Sequence, residues 1–179
     1  HQVPFIISWP KGVPGSGERR TQYAHVTDIL PTLLELAGAE TPIENNHAQS
    51  PPPAGASFAE NLIDGTAPST HNEQYYEMIG NRGYYRDGWN AVTLHYGDQA
   101  FNDDEWELYN LNDDPTELRD LAKEHPEKVK ELAAAWEQAA WDNQVFPLDD
   151  RTGLKNLIRP ASEEVMEQPL TIFPGTPTL

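Results

Sequence analysis

The sequence predicts an α/β portion followed by an α+β subdomain, the latter a small antiparallel sheet of about four strands packed by one long helix. Three observations predict it. A continuous apolar run, Val3-Pro4-Phe5-Ile6-Ile7-Ser8, has the pattern of a strand covered on both faces in a mostly parallel sheet. An apolar helix pattern follows after a Gly-rich loop. Further on, short aromatic-rich runs separated by Gly and Asp turns give way to a long amphipathic stripe.

Each element has a local cause. Trp9-Pro10-Lys11-Gly12 ends the first strand, because Pro cannot donate to a ladder and Gly permits a turn. Thr27 or Asp28 offers an N-cap oxygen to a helix over 28–37, with Pro31 in its first turn. Ile29, Leu30, Leu33, Leu34, Leu36 and Ala37 follow helical spacing, and Gly38 suits a left-handed stop. Apolar residues on most sides of this helix predict burial. Residues 41–70 read as a Pro-rich surface connection.

Strands are predicted at Gln74–Ile79, Gly83–Arg86, Gly88–His95 and Glu105–Leu111. In the last, Trp106, Leu108 and Asn110 share one face, and Glu107, Tyr109 and Leu111 the other. Asp114-Pro115-Thr116-Glu117 has the form of a capping box, and His125-Pro126-Glu127 is a second helix start. From Pro126 to about Asn143, one face carries Val129, Leu132, Ala133, Trp136 and Ala140. The segment 149–179 reads as an extended, irregular tail. The predicted organisation is therefore 1–40, 41–70, 71–148 and 149–179.

Composition excludes several functions. The formal net charge of −17 and pI near 4.5 disfavour nucleic-acid binding, which needs a basic face. No apolar run is long enough to span a bilayer. Zero Cys excludes disulfides and thiolate chemistry within these 179 residues.

Four segments, in order, carry a resemblance: VPFIISWP at 3–10, HVTDILPTLLELAGA at 25–39, QYYEMIGNRGYYRDGWNAVTLH at 74–95 and WELYNLNDDPTELRDLA at 106–122. Together they resemble the sulfatases of the alkaline-phosphatase-like superfamily, particularly the bacterial arylsulfatases. The first resembles the strand after the family's Glu-Gly-Gly segment, and the second the buried helix near the end of the large α/β domain. The other two resemble the C-terminal sheet and the turn into its long helix. HPEKVKELAAAWEQAA and PLDDR extend the likeness to about Arg151.

The resemblance implies hydrolysis of sulfate esters, with a bound divalent cation, usually Ca2+, and a formylglycine made from Cys or Ser in C-x-P-x-R. Its hydrated aldehyde attacks sulfur in that family. This sequence has no Cys and no S-x-P-x-R, so no catalytic or metal residue carries over. The expectation is the C-terminal portion of an arylsulfatase-type enzyme, inactive alone. Its partners would be a sulfate-ester small molecule and the remainder of the catalytic domain. A periplasmic or secreted compartment is implied by the family alone. A non-catalytic acidic interaction or substrate-binding module, or a piece of a related phosphodiesterase or phosphonate-ester hydrolase, are the alternative readings.

The candidate pocket-rim residues are Glu77, Asn81, Arg82 and His25. An Arg on a loop can hold two sulfate oxygens by parallel hydrogen bonds. Against this, Arg82 can pair with a carboxylate such as Glu77, and His25 can be a satisfied structural histidine. Tyr84, Tyr85, Trp89 and Trp106 read as sheet core. Asp103-Asp104-Glu105, Asp113-Asp114 and Asp149-Asp150 read as solvated turns, the first lacking the ladder of an EF-hand.

Overall fold

The computed structural model describes residues 3–14, 17–40, 44–45, 48–49, 53–96 and 99–148. The predicted tail at 149–179, with Asp149-Asp150, lies outside the described residues. Two compact units are present, His1–Asn72 and Glu73–Leu179.

In the first unit a 3-10 turn, Val26–Asp28, runs directly into helix α1, Ile29–Ala37, which Gly38 closes in the left-handed conformation. The cap differs from expectation. His25 is the N-cap of the 3-10 turn, and the Asp28 side chain reaches back to its backbone N–H, completing a capping box one turn earlier than Thr27 or Asp28 would place it. Strands β1 (Glu44–Asn45) and β2 (Ala48–Gln49) form a two-residue antiparallel ladder, and α2 (Ala59–Ile63) follows the Gly55–Phe58 stretch. The predicted strand at 3–8 makes no ladder; its residues are exposed, Val3 at 81% and Ile6 at 88%. Helix α1 is likewise not buried as expected: Leu30 and Leu33 face out and only Thr32 is buried. Both carry the apolar pattern of enclosed elements; Phe5 meets Phe58 edge-on and Ile29, Leu34 and Leu36 are half-buried, while Val3, Ile6, Leu30 and Leu33 stay exposed.

The second unit is a four-stranded antiparallel sheet in the order β3 (Glu73–Met78), β4 (Asn81–Arg86), β5 (Trp89–Thr93) and β6 (Glu107–Asn110). The β3–β4 hairpin closes in two residues, Ile79 and Gly80, both at positive φ. The register aligns Tyr75, Tyr84, Ala91 and Leu108 in one row across all four strands. Helix α3, Pro126–Asp142, lays Leu132, Trp136 and Ala140 on this row, and Val145 and Phe146 fold back beside them. The small side chains of Ala91 and Ala140 allow close approach of helix to sheet. The Trp136 indole donates to the Tyr76 carbonyl at 2.9 Å, so its N–H is satisfied in the core. Tyr84 lies in this core, with Trp89 and Trp106 packed against it as expected, while Tyr85 alternates to the other face.

Asp114–Glu117 starts no helix. The Asp114 carboxylate accepts from the Leu118 and Arg119 amides, and Glu117 takes a left-handed φ of 56° and accepts from Asn90 at 2.6 Å. The segment it controls protects an edge: Leu121 N–H donates to the Leu108 carbonyl and Asp120 accepts from Leu108 N–H.

Leu132 is fully buried at the centre of this core. Leu132→Ala is expected to lower unfolding free energy by about 2–5 kcal/mol, read as a reduced urea midpoint at unchanged slope.

Candidate functional site

Two clusters gather the candidate residues, one in each unit. In the first, Asp28 is fully buried, so each carboxylate lone pair needs a donor. Oδ2 accepts from His25 N–H at 2.6 Å. Oδ1 accepts from Ala56 N–H at 2.8 Å and pairs with His71 Nδ1 at 2.6 Å. Because a carboxylate oxygen only accepts here, the proton belongs on His71 Nδ1. Thr32 Oγ1 donates to the Asp28 carbonyl and accepts from Phe58 N–H. Gly55 passes so close that a Cβ would meet the Thr27 carbonyl oxygen at 2.5 Å and Asp28 Oδ1 at 2.8 Å, which explains a glycine before Ala56.

His25 is half-buried, with Nδ1 at 2.9 Å from Thr27 Oγ1. Burial pulls its imidazole below the ordinary value, His71 adds to this, and Asp28 opposes it. It thus serves the turn that begins α1.

In the second unit the centre is Asp104, not a solvated turn residue. Its carboxylate accepts from Arg82 Nη2 at 2.5 Å, lies 3.0 Å from His95 Nδ1, and accepts from Gln99 Nε2 at 3.1 Å. Arg82 Nη2 also donates to the Phe101 carbonyl. Both members of the Arg82–Asp104 pair have buried side chains. Arg82 Cζ stands 5.4 Å from the Phe101 ring centre and 5.5 Å from those of Trp106 and Trp136, a cation enclosed by three rings. Burial pulls the Arg82 guanidinium below its ordinary value, and Asp104 opposes that shift. His95 stacks on Phe101 at 4.0 Å, and its Nε2 has no hydrogen-bond partner among the described residues.

Of the predicted rim residues, Glu77, Asn81 and Arg82 lie together in the second unit and are engaged inward, while His25 belongs to the first. Glu77 lies opposite Arg82 in register, yet its Oε1 accepts from Gly80 N–H, and Arg82 takes Asp104 instead. Asn81 Oδ1 accepts from His95 N–H, and its Nδ2 donates to the Met78 carbonyl. Asp104, His95 and His71 were not among the predicted site residues. For His95 the available signal was a polar residue beside apolar Leu94; Asp104, within Asp103-Asp104-Glu105, carried no local signal.

The cation and formylglycine implied by resemblance do not fit these residues. The chain has no Cys, and among the described residues no group of three or more His, Asp or Glu is placed to hold a metal ion. The oxygens of Asp28 and Asp104 are already turned to donors of their own chain.

Residues 1–143 match the family described as N-sulphoglucosamine sulphohydrolase, C-terminal. An uncharacterized sulfatase of Schizosaccharomyces pombe is 32% identical over 119 residues, covering 64% of this chain and 21% of its own. The N-acetylglucosamine-6-O-sulfatase of Bacteroides thetaiotaomicron is 28% identical over 152 residues, with 76% and 24% covered. Arylsulfatase K of Xenopus laevis is 27% identical over 135 residues, with 73% and 24% covered. The crystal structure of Ps i-CgsB superposes with a TM-score of 0.58 at 23% identity, over 83% of this chain and 31% of that one. Over the matched part the fold is shared.

A sheet-and-helix domain built in this order, over a match of this length, defines a class. The chain belongs to the sulfatases, as a member of the N-sulphoglucosamine sulphohydrolase C-terminal family. It spans between 21% and 24% of the length of these curated relatives.

Asp104→Ala is expected to cost about 3–5 kcal/mol, because it strands a buried guanidinium. The double variant Arg82→Met with Asp104→Leu should recover most of that loss in urea unfolding. For His25, the folded state holds the ring proton less readily than the unfolded chain. Its contribution is therefore whole above the ordinary value of 6.5 and lost as pH falls below it through the lower folded value. An NMR titration should place its midpoint below that of the denatured chain.

Proposed function

We propose that this chain works as the C-terminal portion of an arylsulfatase-type sulfuric ester hydrolase, supplying scaffold and pocket rim, and that it does not turn over substrate alone. The observation that carries this is the exposed run from Val3 to Trp9. It includes Phe5, Ile6 and Ile7, whose apolar pattern is that of an enclosed strand, beside a helix whose Leu30 and Leu33 also face out. The remainder of a sulfatase catalytic domain is the partner that fits these surfaces, given the fraction of each relative's length that this chain represents. The substrate is a sulfate-ester small molecule. Ca2+ and formylglycine belong, in this reading, to that remainder.

Glu77, Asn81, Arg82 and His25 contribute to the rim by holding its loops. Arg82 fixes the β5–β6 connection through Asp104 and the Phe101 carbonyl; Glu77 and Asn81 set the β3–β4 turn and the start of that connection. His25 and Asp28 anchor the 53–58 stretch.

The test is to sequence the coding region preceding His1 and to assay both products on 4-nitrophenyl sulfate. A C-x-P-x-R or S-x-P-x-R motif, with turnover by the longer protein and none by these 179 residues, is the expected result. Turnover by the 179-residue chain alone would sink the scaffold reading. A longer protein that cleaves phosphodiesters and no sulfate ester would move the assignment to phosphoryl chemistry.

A further inference from the structure

The sheet has two edges, and the chain closes them unequally. Around the two-residue turn at Ile79 and Gly80, Met78 and Asn81 form a hydrogen-bonded pair, so bonded pairs recur at Tyr76 with Gly83 and Gln74 with Tyr85. Glu73, Tyr75 and Glu77 therefore turn their backbone N–H and C=O groups away from β4, to the outside of the sheet. On the far edge the same alternation turns Leu108 outward, and there Asp120 and the Leu121 amide satisfy both of its groups. On β3 the Tyr75 carbonyl accepts from the Gln74 side chain at 2.7 Å. The Tyr75 N–H and both backbone groups of Glu77 have no partner among the described residues. The strand is six residues long, keeps its register without a bulge, and has no Pro or Lys to blunt it.

What this edge accepts follows from its side chains. Glu73, Tyr75 and Glu77 lie on the face that α3 covers, and Gln74, Tyr76 and Met78 on the other. Both glutamates are exposed. A strand laid alongside is matched when it has cations four residues apart, an uncharged residue midway, and uncharged residues on its other face. A second copy of β3 is a poor match, since a pair centred on Tyr75 sets Glu73 opposite Glu77.

The chain carries a matching segment after residue 148. In Lys155-Asn156-Leu157-Ile158-Arg159, an extended backbone puts Lys155, Leu157 and Arg159 on one side and Asn156 and Ile158 on the other. Gly153 and Pro160 bracket it. Its cations are spaced as Glu73 and Glu77 are. The place where the described chain ends agrees with this. Leu148 packs against the core, and Phe146 meets the ring of Trp136 at 5.8 Å, the residue whose indole donates to the Tyr76 carbonyl of β3. Residues 149–154 reach about 20 Å when extended, so a strand position about 4.8 Å outside β3 lies within their span.

We propose that residues 155–159 add to the open edge of β3 as a fifth strand, with Leu157 beside Tyr75 and one cation beside each of Glu73 and Glu77. The chain then closes both edges of its own sheet, which removes a template for pairing with other chains. This strand addition does not depend on the activity of the longer protein.

Amide hydrogen exchange in the 179-residue chain, resolved by NMR, reads the contact. The Tyr75 and Glu77 amides are expected to exchange about tenfold or more slowly than in Leu157→Pro, which removes the N–H that would meet Tyr75. Exchange at Ala91, in the middle of the sheet, should be equal in the two proteins and shows that the fold is kept. Cross-strand NOEs between β3 and residues 155–159 are the second expected sign, and Lys155→Glu with Arg159→Glu should weaken both. Equal exchange at Tyr75 and Glu77 with and without the proline, and no such NOEs, would overturn the proposal. Protection that survives Leu157→Pro and grows with protein concentration would also overturn it, by assigning the edge to a second copy.

Discussion

A carboxylate taken out of water must be matched by donors on nearly every lone pair, and each unit of this chain is arranged around one that is. Asp28 draws together the turn before α1, the 53–58 stretch and His71. Asp104 draws together β4, the end of β5 and the connection that follows. The desolvation cost of each carboxylate is met only when all of those segments are in place, so the segments become mutually dependent. That dependence fixes loops that apolar packing alone would leave with several arrangements. Gly55 and Gly80 stand where they do because the chain passes within contact distance of these centres.

The second organising contact, α3 on the sheet, has a different character. Leu132, Trp136 and Ala140 meet one straight row of sheet residues, and the interaction is apolar and non-directional apart from the Trp136 indole. Arg82 joins the two systems. Its guanidinium is held by Asp104 at the sheet end and lies among the rings of Phe101, Trp106 and Trp136, so the ion pair is shielded by the same helix that makes the core. Removing the charge alone disturbs both; replacing the pair with apolar groups leaves the core contact intact.

Period and punctuation made the sheet and α3 legible, the aromatic alternation and the Pro126 start both acting within a few residues. The Gly38 stop was legible for the same reason. The turn at Ile79-Gly80 was not: Ile79 reads as strand and Asn81 and Arg82 as loop, and the structure reverses both. The capping signature at Asp114–Glu117 misleads because its first half is satisfied without a helix, Asp114 turning to Leu118 and Arg119 while Glu117 goes to Asn90. Asp104 could not be read locally. Its partner Arg82 is 22 residues away, and Asp103-Asp104-Glu105 carries no local sign of which carboxylate turns inward. Helix α1 shows the opposite case: its apolar pattern predicts burial on most sides, and Leu30 and Leu33 are exposed.

The disposition of the arginines bears on how a sulfate ester would be recognised. Arg20 donates to the Asn61 and Leu62 carbonyls, Arg82 to Asp104, Arg86 to Glu73 and contacts Glu131, and Arg119 to Glu124. Each of these four guanidiniums is directed to an acceptor of its own chain, within a sequence of net charge −17. A sulfate oxygen competing for Arg82 would have to displace a buried carboxylate and leave it unpaired, at a cost that a single bidentate contact does not offset. In the proposed reading these four arginines therefore hold the chain's own loops and strands rather than the ester. What these charges do for the chain is place its loops, Arg82 through Asp104 and the Phe101 carbonyl above all.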